Sequence, residues 1–309
     1  MSFAIEAKGL HKIYGRSVAL GGVNFQVPEG AVYALVGANG AGKSTLIKVL
    51  MNILEPTDGE AWMMGARSDQ FNGVRLSALG YVSENQKLPE WMTVGRLLSY
   101  LRPFYPKWDR ELEDYLVRRF DLPLKRKLKH LSRGMRMKAA FVSSLAYRPE
   151  VIVLDEPLSG LDPLVRDELV ESLQWLQRQG KPFTAFLSTH DLGEIENFAT
   201  HVGYIEKGRI LFSEETRQLK KRFRKVVVRF DGGSRVPSTA SKAWLQLEVI
   251  DSAIHFVHSK YEGETSEHEV RAAFPNALET EFEAMPLRAI FVAVAKSGRD
   301  TATFEKSGI

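Results

Sequence analysis

The sequence predicts an α/β protein, with a parallel sheet crossed by helices and a small α+β domain after it. Three observations carry that expectation. Ala31–Val36, Val151–Leu154 and Phe183–Leu187 are short apolar runs, which read as strands buried on both faces. Segments of helical period separate them, so the connections are crossovers and the strands parallel. Between the first run and the next helix lies a glycine loop, Gly37 to Thr45, in the order strand, loop, helix.

Before that loop, Phe3, Ile5 and Ala7, then Val23, Phe25 and Val27, alternate with other residues as strands do, and Gly21-Gly22 and Pro28-Glu29-Gly30 read as turns. After it, Leu46, Val49, Leu50 and Ile53 fall at helical spacing, so a helix begins near Lys43 and stops before Pro56. Thr93 to about Tyr147 reads as a helical insert, with Val94, Leu97, Leu98 and Leu101 on one stripe and Leu112, Leu116 and Phe120 on another. A further helix is expected from Pro163 to Gln179. A basic segment from Arg217 to Lys225 precedes a strand-rich tail, which closes on Leu287, Ile290, Phe291 and Val294 at helical spacing. The boundary is expected near residue 217.

Composition narrows the function. No run approaches the ~20 apolar residues that span a bilayer, and the N-terminus lacks a secretory pattern, so a cytoplasmic protein that borrows any membrane span from another chain is expected. The absence of cysteine excludes disulfides and thiolate chemistry. A net charge of +4, from 42 basic and 38 acidic side chains, is too balanced to argue for a nucleic-acid partner, and none is expected.

The loop Gly37-Ala-Asn39-Gly40-Ala-Gly42-Lys43-Ser44-Thr45 fits G-x-x-x-x-G-K-[ST]. Its glycines let backbone N–H groups converge on phosphate oxygens, and the helix start adds roughly half a positive charge. Lys43 reaches the β- and γ-phosphates, and Ser44 is a candidate Mg²⁺ ligand. Asp155, delivered by the apolar strand Val151–Leu154, is the second, and Glu156 beside it is placed to orient or deprotonate an attacking water. A nucleotide and Mg²⁺ are the expected ligands, and the resemblance described next implies that the nucleotide is ATP.

Further segments in order make residues 3 to 215 resemble the nucleotide-binding subunit of an ATP-binding-cassette (ABC) transporter. Leu131-Ser132-Arg133-Gly134-Met135 looks like the signature motif, with Ser132 a suitable helix N-cap. Ser159-Gly160-Leu161-Asp162 resembles the D-loop, Ser188-Thr189-His190-Asp191 the switch histidine segment, and Lys12-Ile13-Tyr14-Gly15 the loop whose aromatic ring stacks on adenine; Tyr14 is otherwise a surface tyrosine. Tyr81-Val82-Ser83-Glu84 falls at the Q-loop, where Glu84 replaces the usual glutamine and Gln86 is its rival. Arg133 replaces a glycine and either contacts a partner's ATP or, as expected here, points to solvent.

The resemblance implies a P-loop NTPase core of ABC ATPase type over 1–216, with an antiparallel β subdomain and a helical subdomain at about 88–148. A small C-terminal accessory domain with a flexible end would occupy 217–309. It also implies a sandwich dimer, of identical or different cassettes, in which Ser132 and Gly134 face the other subunit's ATP, and a separate integral membrane permease subunit that holds the chain on the cytoplasmic face. The altered signature and Met285–Val292, similar to a short terminal helix, look like ABC-2 exporters. Against this stand a soluble cassette protein acting on ribosomes or nucleic acid, and a site that binds ATP but barely turns it over.

Overall fold

A computed structural model describes residues 2–179, 183–232 and 240–306. The chain forms two compact units, Met1–Ser213 and Glu214–Ile309. In chain order the first contains β1 (Phe3–Tyr14), β2 (Ser17–Pro28), β3 (Val32–Val36), α1 (Lys43–Leu50), β4 (Asp58–Met63), β5 (Ala66–Arg67), α2 (Gly73–Leu76) and β6 (Leu79–Ser83). Then come α3 (Val94–Leu101), α4 (Arg110–Arg119), α5 (Arg133–Leu145), β7 (Val151–Asp155), α6 (Pro163–Arg178), β8 (Thr184–Thr189), β9 (His201–Glu206) and β10 (Arg209–Glu215).

The α/β architecture is present as a six-stranded sheet in the order β10-β9-β3-β8-β7-β6, in which β9, β3, β8, β7 and β6 pair parallel. Every residue of β3, β7 and β8 is buried, as strands covered on both faces must be. A second sheet, β2-β1-β4-β5, is antiparallel. The core between the sheets takes Val23, Phe25 and Val27 from β2, Tyr33 and Leu35 from β3, and Leu46, Ile47 and Leu50 from α1. The three α1 side chains are fully buried. At about 1.5–3 kcal/mol each, this packing rather than helix propensity holds the short helix at the loop.

Two expectations fail locally. Gly21-Gly22 is no turn but part of β2: Leu10 pairs with Val23 and His11 with Gly21, so Gly22, at φ 82°, is the extra residue of a bulge. The chain instead reverses at Gly15-Arg16. Likewise α1 ends at Leu50, Asn52 turns left-handed at φ 55°, and Ile53 loses the helical phase and is 60% exposed.

The helical part carries α3, α4 and α5, each opened by a side-chain cap: Thr93 accepts from Arg96 N at 3.2 Å, Asp109 from Leu112 N at 2.9 Å and Ser132 from Met135 N at 3.2 Å. Leu112, Leu116 and Phe120 are buried.

The second unit contains α7 (Thr216–Arg222), β11 (Arg224–Arg229), β12 (Trp244–Ile250), β13 (Ala253–His258), α8 (Glu264–Ala273), β14 (Glu279–Ala284) and α9 (Leu287–Lys306). Its antiparallel sheet, β12-β13-β11-β14, buries Val226, Val228, Trp244, Ile254 and Phe256 against Val270 and Phe274 of the α8 segment. The terminal helix is longer than the resemblance implied, running from Leu287 to Lys306. The flexible end expected of the tail falls at 307–309, outside the described residues.

Candidate active site

The site lies at the carboxyl end of the parallel sheet, where β3 runs into the glycine loop. Gly37 N donates to Thr189 O at 3.3 Å, which ties the loop's first residue to the end of β8. A Cβ on Gly37 would lie 2.8 Å from Ile205 Cγ2 and closer still to the Ile205 carbonyl, so β9 leaves room for glycine alone. Gly42 has φ 110°, a conformation closed to most side chains, and α1 begins at the next residue. Asn39 and Gly40 form the exposed tip, and Thr45 is half-buried.

Because α1 starts at Lys43, its first two side chains meet the carboxylates delivered by β7. Lys43 is 5% exposed; its Nζ donates to Gly37 O at 2.7 Å and Ala38 O at 3.2 Å and lies 3.0 Å from Glu156 Oε1. That last approach is an ion pair without hydrogen-bond alignment, so Oε1 stays buried with a lone pair open to a donor. Ser44 Oγ donates to Asp155 Oδ1 at 3.2 Å. Glu156 has φ 51°, sparsely populated for a non-glycine residue, and the turn it makes lets consecutive carboxylates both face the loop.

Strand β8 sits between β3 and β7 and closes the constellation with three consecutive residues. Ser188, fully buried, donates from Oγ to Asp155 Oδ1 at 2.7 Å and accepts from Glu156 N at 3.0 Å. Thr189 holds Gly37. His190 Nδ1 lies 2.7 Å from Glu156 Oε2, so Glu156 bridges Lys43 and the histidine. Lys43, Ser44, Asp155, Glu156 and His190 therefore form one contact network around the loop. Ser188 belongs to the switch histidine segment, and its clamping role is signalled in the sequence only by a hydroxyl at the end of an apolar strand.

The remaining candidates have other contacts. Tyr14, at the end of β1, is 49% exposed with Lys12 Nζ 5.3 Å from its ring centre. Ser132 caps α5, Gly134 sits where a Cβ would lie 3.1 Å from Val165 Cγ2, and Asp162 caps α6 by accepting from Val165 N at 3.1 Å. Glu84 N donates to Asp155 O at 3.0 Å, but its carboxylate turns away to Arg133 Nη2 at 2.5 Å. Arg133 also donates to Ser159 O at 2.7 Å, so the side chain expected to point to solvent is half-exposed but has two acceptors for its guanidinium. Gln86 Oε1 accepts from Ser83 N at 3.4 Å.

Ser44 and Asp155 offer the hard oxygen donors that suit Mg²⁺. Among the described residues no group of three or more His, Asp or Glu could hold a metal ion. Nor, among these residues, is any helix long and apolar enough to cross a membrane.

Residues 20–159 match the family model described as ABC transporter. Over 221 residues the chain is 32% identical to the probable multidrug ABC transporter ATP-binding protein YbhF of Escherichia coli, which covers 70% of this chain but only 38% of YbhF. It is 31% identical over 231 residues to the bacitracin transport ATP-binding protein BcrA of Enterococcus faecalis, covering 73% of each. Among solved structures, an ATP-binding subunit of an ABC transporter superposes with a TM-score of 0.65 at 29% identity, covering 71% of this chain and 92% of that one.

Proposed function

The chain belongs to the ABC transporter family, and from that premise we propose that it is an ATP-binding, ATP-hydrolysing subunit that drives substrate movement through a membrane-spanning partner. The observation that carries this reading is the single network of Lys43, Ser44, Asp155, Glu156 and His190 around the glycine loop. A positioned lysine, a hydroxyl–carboxylate pair and a second carboxylate with an open lone pair are the parts that phosphoryl transfer to water requires.

In this reading Lys43 leaves the loop carbonyls for the β- and γ-phosphates, and the N–H groups of the loop and α1 hold the remaining oxygens. Ser44 and Asp155 hold Mg²⁺, which supplies charge neutralisation of the phosphates when bound. Glu156 Oε1 accepts from the attacking water, and His190, already hydrogen-bonded to the same carboxylate, senses the γ-phosphate. Tyr14 offers its exposed ring to adenine. The Ser132 and Asp162 side chains cap their own helices and Gly134 packs against Val165, which leaves the head of α5 for a role toward a second cassette, identical or different. Similarity to bacitracin and multidrug transport proteins favours export from the cytoplasmic face.

Phosphate release by the full chain tests the reading. Glu156→Gln keeps the shape but removes the base, and turnover should fall on the order of a hundredfold. Equal rates for the two proteins would remove the catalytic assignment.

A further inference from the structure

We propose that Arg133 is a positioning residue for ATP turnover, holding the Glu84 carboxylate against the head of α5 and out of the phosphate site; this rests on the ATPase reading above. Ser83, the last residue of β6, pairs with Asp155 in the parallel sheet, and Glu84 N bonds the Asp155 carbonyl. Glu84 thus projects from the sheet edge level with Asp155 and Glu156, as a third carboxylate beside a site meant for a polyanion. Left free, it would repel the phosphates.

The guanidinium meets that charge in a built setting. Its Nη2 lies 2.5 Å from Glu84 Oε1 and 2.7 Å from Ser159 O. Gly160 has φ 63°, and a Cβ there would lie 2.6 Å from Arg133 Nη1, the movable end of a long side chain, so the turn after Glu156 passes directly alongside the guanidinium. Among the described residues Arg133 makes the one ion pair of Glu84. One side chain therefore ties together the loop after β6, the head of α5 and the loop after β7. The two departures from the usual family motifs, Glu84 and Arg133, are partners: each occupies a place where the other makes sense.

A double-mutant cycle on the full chain tests this, with kcat/KM for ATP read from phosphate release. Arg133→Ala should lower kcat/KM about three- to tenfold, yet cost less than about twofold in the Glu84→Gln background. The penalty beside Glu84 should shrink as salt rises from about 0.05 to about 0.5 M, which a purely structural role would not do. Arg133→Lys, which keeps the charge, should recover at least half of the loss and serves also if the alanine variant folds poorly. Equal penalties in both backgrounds, no penalty at all, or no recovery by lysine would overturn the proposal. A wild type that releases no phosphate would sink the ATPase reading and this one with it; a normal wild-type rate with equal penalties sinks this one alone.

Discussion

Replacing Ser188 by alanine should damage both the stability of the first unit and its chemistry. The hydroxyl is fully buried and makes two bonds, donating to Asp155 Oδ1 at 2.7 Å and accepting from Glu156 N at 3.0 Å. The first is charge-assisted and contributes about 1.5–3 kcal/mol, and a buried N–H left without a partner costs about 1–3 kcal/mol. Asp155 keeps its bond from Ser44, so the two do not add in full, and the expected loss is about 2–4 kcal/mol. Glu156 also stands at φ 51°, a conformation that costs of order 1 kcal/mol and persists because its N–H is anchored. Without the anchor the carboxylate relaxes away from Lys43 and His190, and turnover should fall about tenfold. Urea unfolding followed by tryptophan fluorescence reads the first effect, and phosphate release at saturating ATP the second. A variant within about 0.5 kcal/mol of wild type, with unchanged turnover, would refute the clamp.

Two further outcomes follow from single positions. Gly37→Ala brings a methyl group to 2.8 Å from Ile205 Cγ2 and against the Ile205 carbonyl, so the loop must shift. A stability loss of about 1–3 kcal/mol and about tenfold weaker ATP binding are expected, and a fluorescent ATP analogue that binds the variant as wild type would contradict the crowding argument. In the second unit, His258 is 1% exposed, and burial lowers its pKa below 6.5 against Glu269 and Glu262, which raise it. The unfolded chain therefore takes up its proton first as pH falls below 6.5: the contribution is fully present above that value and is lost below it. The thermal midpoint of this unit should drop between about pH 8 and about pH 5.5 more for wild type than for His258→Phe, and parallel drops would count against a buried neutral imidazole.

Much of the site could be read in one dimension because its parts are contiguous in the chain. The loop from Gly37 to Thr45 carries its own backbone geometry, and Asp155-Glu156 follows an apolar strand long enough to place it at a sheet end. Where reading failed, a long-range neighbour decided. Gly21-Gly22 looks like a turn until β1 is paired with β2 and the second glycine becomes a bulge residue. Ile53 fits the helical stripe only if α1 continues, and Asn52 ends it. Arg133 looks like a solvated side chain until the loops carrying Glu84 and Ser159, 49 and 26 residues away, converge on it.

Local residue patterns alone were enough to show a glycine loop between a buried strand and a helix, two carboxylates and a histidine at strand ends, and the motif order of an ABC cassette. Local residue types suffice for that, since period, glycine placement and strand ends are properties of short windows. That β8 lies between β3 and β7 came from the folded sheet and from nothing in the local patterns. Strand order is a choice among long-range pairings that no local pattern encodes. It sets Ser188, Thr189 and His190 between the loop and the acids, so that one strand end clamps Asp155, Glu156 and Gly37 together.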